Sequence, residues 1–292
     1  MKPDLKRIVL CAVSFILCFF TASALAGEEV TFTYVPPVAG DKKIVQSDET
    51  GHWKQKITND HGEIIENARH FELSRTTVNH TILEADGDTV KKLELKYGTA
   101  VLSESEKDVD VPASPVFGKT YIAEFKGGEI VVTDAQGKTP GDKELQIVRK
   151  EARPLGTPNY FGRFMNGKRM KLKEKLDVPK SLLEDLSKDT GRWKYESMEM
   201  TLISIDTLGN RECAVFDVQY VMTSNYWGDA VLKMECKGKA VLDTAICRPV
   251  SHAVEAATVF KGPVDVNGLK FEMDIESKMQ GHESARFENL RK

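Results

Sequence analysis

Strict alternation of apolar and charged residues in the last third of the chain is the feature that most constrains its fold. Two runs show it most clearly, and their apolar members are Leu269, Phe271, Met273 and Ile275 in one and Ala230, Leu232, Met234 and Cys236 in the other. A period of two puts successive side chains on opposite faces of a strand. Five strand-like runs follow one another between Trp193 and Met279. We therefore expect an antiparallel sheet with one apolar face and one face in water.

The middle of the chain has a different pattern, typical of short helices. Residues Asp142 to Arg149 form one amphipathic run, and a second run from Pro179 to Leu186 has proline at its first helical position. Strands precede and follow these runs without strand-helix alternation. The predicted fold class is therefore mainly β, or β-rich α+β, with a large curved antiparallel sheet or half-barrel and two or three short helices inserted mid-chain.

The same patterns divide the chain into an N-terminal antiparallel β half, a connector with short helices and a C-terminal antiparallel β-meander. The bounds of these parts are residues 27–150, 151–190 and 191–292. The pattern leaves open whether the two β parts form one sheet or two lobes.

Turn signals and apolar runs predict the first strands less clearly. A strand is expected over residues 28–35, followed by a polar stretch to Thr50 and short strands over 52–58 and 62–66. Asp86-Gly87 and Gly127-Gly128 are hairpin signals.

Residues 1–26 have the pattern of a secretory signal peptide. Lys6 and Arg7 precede an apolar run from Ile8 to Phe20, and Ala24-Leu25-Ala26 is a small-x-small cleavage site. The run is shorter than the roughly 20 residues needed to cross a bilayer, and no later run is long and apolar enough. We expect an exported protein, periplasmic or secreted, with no transmembrane segment after signal removal.

Charge and cysteine content exclude other classes. The formal net charge is −3, and removal of residues 1–26 makes it more negative, which does not suit a nucleic-acid partner. Three cysteines remain after that removal: Cys213, Cys236 and Cys247. They allow at most one disulfide, and buried free thiols are the equal alternative.

No motif predicts catalysis or a cofactor. A nucleophile elbow is absent, His282-Glu283 lacks the second histidine of a zinc-protease helix, and Gly137-Lys138-Thr139 lacks the first glycine of a phosphate loop. Four histidines, His52, His61, His70 and His80, recur at hairpin spacing, so a metal-dependent enzyme is a minor alternative. We expect a protein that is not an enzyme and has no metal or cofactor.

Methionine is the most informative residue type for binding. Six of the nine methionines fall between Met198 and Met279. Methionine is flexible and polarisable, and adaptable binding surfaces overuse it, although core packing is its commoner role. Strand parity assigns the candidate apolar ligand face to Met198, Met200, Phe216, Tyr220, Met222, Leu232, Met234, Phe271 and Met273. If the strands pair in order, Met198 or Met200, Met222, Met234 and Met273 form a band across the sheet.

The pattern resembles the periplasmic lipoprotein-carrier half-barrel superfamily of LolA, LolB and LppX. The resemblance lies in runs such as Lys237-Gly238-Lys239-Ala240-Val241-Leu242-Asp243 and Gly118 to Lys138, and it covers the mature chain in outline. It implies a curved antiparallel sheet that wraps short helices and holds lipid chains on an apolar concave face. No functional residue is carried over from that superfamily.

Two functions follow as expectations. The first is a non-enzymatic exported protein that binds an apolar ligand, a lipid or a lipoprotein partner on the concave face of its sheet. The second is a structural or protein-interaction module of the cell envelope with a dry core. An apolar pocket of roughly 300–1,000 Å³ between sheet and helices favours the carrier. Filling of that space by side chains favours the module.

Overall fold

The computed structural model describes residues 29–103, 114–188, 190, 193–227, 230–266 and 268–288. The predicted signal peptide lies outside these residues. The strands are β1 (Glu29–Thr31), β2 (Lys42–Asn59), β3 (Ile64–Asp86), β4 (Thr89–Ser103), β5 (Thr120–Lys126), β6 (Glu129–Asp134), β7 (Arg169–Lys171), β8 (Lys175–Asp177), β9 (Lys194–Leu208), β10 (Arg211–Trp227), β11 (Ala230–Asp243), β12 (Arg248–Val266) and β13 (Leu269–Glu288). The helices are α1 (Asp142–Glu151), α2 (Tyr160–Met165) and α3 (Lys180–Ser187).

Eleven of these strands form one antiparallel sheet. Their spatial order is β6-β5-β4-β3-β2-β13-β12-β11-β10-β9-β8, while β1 and β7 form a separate pair. The sheet is curved and not closed, and it carries three short helices, which confirms the predicted fold class. The last strand pairs with β2 along its length, from Phe271 opposite Asn59 to Glu288 opposite Lys42. The two β parts of the chain are therefore one sheet and not two lobes.

Tight turns join most neighbouring strands. Asp86 pairs with Thr89 across a two-residue turn that begins at Gly87, whose φ is +59°, and Lys126 pairs with Glu129 across Gly127-Gly128. Both glycines of the second turn also have positive φ. Only residues without a Cβ adopt this region easily, so both hairpin predictions are confirmed for the expected reason.

The first strands differ from expectation. The predicted strand over 28–35 ends at Thr31. Phe32 still donates its backbone N–H to Lys168 O, but Thr33 donates to Thr244 O, which is outside β7, so the ladder stops there. The polar stretch before Thr50 is not a loop but the first half of β2. Strand β2 has a hydrogen-bonded neighbour on each side, β3 and β13, so its backbone is paired whatever its side chains are.

Two predicted helices are present with small shifts. Helix α1 extends to Glu151, and α3 begins at Lys180 with Pro179 as its N-cap, not its first residue. Helix α2 was not predicted. It begins where Asn159 accepts a hydrogen bond from the backbone N–H of Gly162 through its side-chain oxygen, a cap at 2.8 Å.

The predicted polarity of β13 is confirmed for most of its residues and wrong for one. Met273 and Ile275 are buried and Phe271 is half-buried, while the charged residues between them are exposed. Leu269, expected to be buried, is 63% exposed. It is the first residue of β13, opposite the last residue of β12, so it lies at the end of the sheet where fewer side chains surround it.

Candidate ligand-binding face

One face of the sheet carries all three helices. Directly opposite residues of antiparallel strands lie on the same face, so the register traces each face across the sheet. The face that includes Phe216 of β10 continues through Ala240, His252 and Glu283 to Ser47 of β2. We call this the inner face.

The two ends of the inner face are filled by side chains. At the β8–β10 end, helices α2 and α3 pack on strands β9 and β10; the buried members from the strands are Met200, Leu202, Ala214, Phe216 and Val218, and those from α2 and α3 are Met165, Leu182 and Leu183. At the β4–β6 end, Val148 of α1 packs against Leu95 and Tyr121. A third buried cluster lies at the end of the strands where β12 turns into β13, and includes Leu232, Val264 and Met273.

Between these clusters the inner face of five neighbouring strands, β10, β11, β12, β13 and β2, is only partly covered. The described helices pack mainly on β5, β6 and β9. Two rows of side chains cross this region; one consists of Tyr220, Cys236, Ala256, Met279 and Gly51, and the other of Met222, Met234, Thr258, Ser277 and Trp53. We call these ten residues the methionine band. The band carries no charged side chain.

The larger side chains of the band are flexible or partly exposed, and they border small residues. Met279 is 46% exposed, and Met234, Tyr220 and Trp53 are half-buried. A Cβ on Gly51 would lie 3.2 Å from the Trp53 ring and 3.8 Å from Cγ of Met279, so these two side chains border the space above the glycine. The small residues therefore form a shallow strip between larger flexible ones.

Aromatic contacts border the band at both ends. The rings of Tyr195 and Tyr220 meet edge to face at 5.5 Å, and Trp53 stacks on His70 at 5.4 Å. Burial raises the pKa of Tyr220 well above its ordinary value, with the neighbouring Cys236 and Tyr195 as further causes. The Tyr220 hydroxyl is therefore neutral at all physiological pH values.

All nine residues of the predicted ligand face lie on the inner face, but they do not form one site. Met200, Phe216, Leu232 and Met273 are buried in the packed clusters, with Met198 and Phe271 packed partly against them. Tyr220, Met222 and Met234 belong to the methionine band.

The predicted band included Met273, and the structure replaces it with Met279. Met222 pairs with Met234, and their row reaches β13 at Ser277, next to Met279 and four residues from Met273. Strand β12 turns into β13 only after Val266, and this position of the turn decides which methionine of β13 is level with Met234. The position of the turn sets the register of the two strands, and the alternation of apolar and polar residues does not reveal that register.

Two polar contacts lie on the inner face where the end of helix α1 meets the sheet. His80 Nε2 is 2.8 Å from Glu151 Oε1, and Lys150 Nζ is 3.7 Å from Glu49 Oε2. Both contacts join the last turn of helix α1 to the sheet. Glu49, reached by the second contact, lies two residues before Gly51 of the band on β2.

A trough crosses the opposite face of the same five strands. Its volume is about 760 Å³. Its floor is the backbone of one row of paired residues: Val218, Gly238, Val254 and Gly281. The side chains of the two neighbouring rows form its sides. One row consists of Asp217, Lys239, Ala253, His282 and Asp48, and the other of Gln219, Lys237, Glu255, Gln280 and Thr50. The volume is within the range expected of a carrier, but most of the side chains along the trough are charged or polar, and it lies on the face away from the helices. It is therefore not an apolar pocket between sheet and helices, the feature that would favour a carrier.

The four histidines do not converge. His52 and His70 lie on neighbouring strands but on opposite faces, since His70 pairs with Trp53, while His61 lies in the β2–β3 turn and His80 beneath helix α1. Among the residues that the structure describes, no group of three His, Cys, Asp or Glu side chains is placed to hold a metal ion.

The three cysteines are buried free thiols, the second of the two predicted alternatives. Burial raises the pKa of each thiol, that of Cys247 to about 12. Thiols of this kind are unreactive at neutral pH.

None of the helices in the described ranges is long and apolar enough to cross a membrane.

No family model matches the chain, and no curated protein sequence matches it significantly. Among solved structures, a lipovitellin structure concerned with lipid–protein interactions is similar with 10% identity and a TM-score of 0.37, over 86% of this chain and 26% of that one. An outer membrane channel from Pseudomonas putida F1 is similar with 7% identity and a TM-score of 0.21, over 87% of this chain and 97% of that one. Likeness this small supports no argument about function.

Proposed function

We propose that this protein is exported and binds the acyl chain of a lipid, or of a lipid-bearing partner, on the methionine band. One observation carries the proposal: an uncharged strip of methionine and aromatic side chains, most of them only partly buried, crosses five strands between packed clusters. At both ends of the inner face, by contrast, the apolar side chains are packed in clusters under the helices.

The dimensions of the band suit a single extended chain. Neighbouring strands lie about 4.8 Å apart, so the distance from β10 to β2 is about 19 Å. Each methylene moved from water into apolar surroundings contributes about 0.8 kcal/mol. Methionine side chains change rotamer at small cost, so Met222, Met234 and Met279 can adapt to chains of different shape.

Export and the absence of catalysis belong to the proposal as well. They rest on the signal-like residues 1–26 and on the lack of catalytic motifs. The packed clusters beneath the helices favour a second candidate, an envelope scaffold with a dry core, because buried residues such as Leu202 and Phe216 leave no exposed surface there.

Ligand-induced stabilisation separates the two candidates. We expect residues 27–292, purified without lipid, to melt at a higher temperature when laurate, methyl laurate or a phospholipid is added. A ligand that binds only the folded state adds about 2.7 kcal/mol at a hundredfold excess over Kd. If none of these probes stabilises the protein, the scaffold is correct.

A matched pair of variants locates the site. Met234→Lys/Met279→Lys places two charges in the band at positions that tolerate them, because neither side chain is fully buried. Val231→Lys/Val259→Lys places two charges on the opposite face of β11 and β12, where Val259 is 69% exposed. Stabilisation by lipid should be lost in the first variant and kept in the second. The reverse result places binding on the opposite face.

A further inference from the structure

Ser224 provides a buried polar group next to the methionine band. Its side chain is 2% exposed, and its hydroxyl has no hydrogen-bond partner among the described residues. Ser224 lies two residues after Met222 on β10 and pairs with Leu232 on β11, so its hydroxyl is on the inner face. Leaving a buried hydroxyl without a partner is unfavourable, so such groups in native structures call for an explanation.

The surroundings of Ser224 on this face are uncharged. Its nearest inner-face positions on β10 and β11 are Met222, Leu232 and Met234, and Leu232 belongs to the buried cluster against which Phe260 packs. A carboxylate or phosphate placed here would be buried without a cation and would be strongly disfavoured. A neutral oxygen that accepts one hydrogen bond fits.

We propose that the ligand of the methionine band is a neutral acyl ester whose carbonyl oxygen accepts a hydrogen bond from the Ser224 hydroxyl. This assignment depends on the proposed function, and it adds the chemical class of the ligand. The acyl chain lies along the band towards Trp53, and the ester lies at the β10 end. The carbonyl reaches Ser224 when Met222 or Met234 changes rotamer, which methionine does readily.

Three probes of similar length test the assignment. Methyl laurate has an ester carbonyl, tetradecane has no oxygen and laurate has a charged carboxylate. We expect residues 27–292 to bind methyl laurate about tenfold more tightly than tetradecane, the value of one well-made hydrogen bond, and laurate to show no such advantage at pH 8. Affinities are measured by calorimetry with each probe delivered from cyclodextrin.

Ser224→Ala distinguishes a serine that binds the ligand from one that only stabilises the fold, because the two predict different changes in melting temperature and in ligand preference. The variant without ligand should melt at the same or a higher temperature, because an unpartnered hydroxyl is removed. Its preference for methyl laurate over tetradecane should disappear. Ser224→Cys, which keeps the size and a weak donor, should retain part of the preference.

Ser114→Ala is the matched control, because it removes another buried serine hydroxyl that lies outside the methionine band. A preference that survives Ser224→Ala, or that disappears in Ser114→Ala, overturns the assignment while lipid binding on the band stands. A tighter binding of laurate than of methyl laurate also overturns it. Binding of no probe at all refutes both this assignment and the proposed function.

Discussion

The side chain of His80 on β3 meets that of Glu151, the last residue of helix α1, at 2.8 Å between Nε2 and Oε1. Burial lowers the pKa of His80, with Lys43 as a further lowering influence, while the Glu151 carboxylate and Glu283 act to raise it. For Glu151, burial acts to raise the pKa, but contacts with His80, Lys43 and Lys150 lower it overall. At neutral pH the contact between helix and sheet therefore consists of a neutral His80 imidazole and an ionised Glu151 carboxylate.

This pair predicts that the protein loses stability on mild acidification. A histidine with a lowered pKa in the folded state binds its proton more readily when unfolded, so stability falls as pH decreases through the unfolded value of about 6.5. The Glu151 contribution is lost at lower pH, below its unfolded value of about 4.5. Urea denaturation between pH 8 and pH 5 measures the loss.

His80→Gln should flatten this profile between pH 7 and pH 5. His61→Gln, a change at an exposed residue of the β2–β3 turn, should leave it unchanged. Equal profiles for wild type and His80→Gln would show that His80 does not titrate with unfolding.

Two neighbouring residues of β11 test the register of the sheet. Leu232→Ala should reduce the free energy of unfolding by about 2–5 kcal/mol, because Leu232 is buried in a packed cluster. Val231→Ala should change it by no more than about 0.5–1 kcal/mol, because Val231 is 53% exposed on the other face. Denaturant titration of both variants measures the difference, and similar losses would mean that β11 is assigned to the wrong faces.

Gly238 should not tolerate a side chain. A Cβ at this position would lie 1.9 Å from the backbone oxygen of Ala253 on β12, so either strand must move. We expect Gly238→Ala to cost at least about 2–3 kcal/mol, at the upper end of the effects of overpacking.

Gly262→Ala on β12 is its control, since a Cβ there meets nothing within 4 Å. It should be neutral or stabilise the protein by up to about 1 kcal/mol through the unfolded state. Thermal melts of the two variants that coincide would refute the close approach of β11 and β12 at Gly238.

The thiols should be unreactive in the native protein. Because burial raises the pKa of Cys213, Cys236 and Cys247, iodoacetamide at pH 8 should modify them only slowly. In denaturant without reductant, mass spectrometry should show all three modified. Modification of a single cysteine under those conditions would reveal a disulfide.

Local patterns predicted the parts of this fold that depend on neighbours in sequence. The alternation around Met273 and Ile275 follows from strand geometry, and the turn at Gly87 requires positive φ. Strand β2 was predicted only in part, because its first half is polar and is held by β13, more than 200 residues away in the chain. Helix α2 is too short for a periodic pattern to indicate it.

By itself, the sequence determined the fold class, the apolar side of the C-terminal strands and the position of several turns, because these depend on side-chain period and on local φ. Only the tertiary structure decided which apolar residues are packed and which remain partly open. Met273 and Met279 share one strand and one face, yet the first is buried in a cluster and the second borders the band. That difference is set by the register of β12 and β13 and by where the helices lie, and both depend on contacts between residues far apart in the chain.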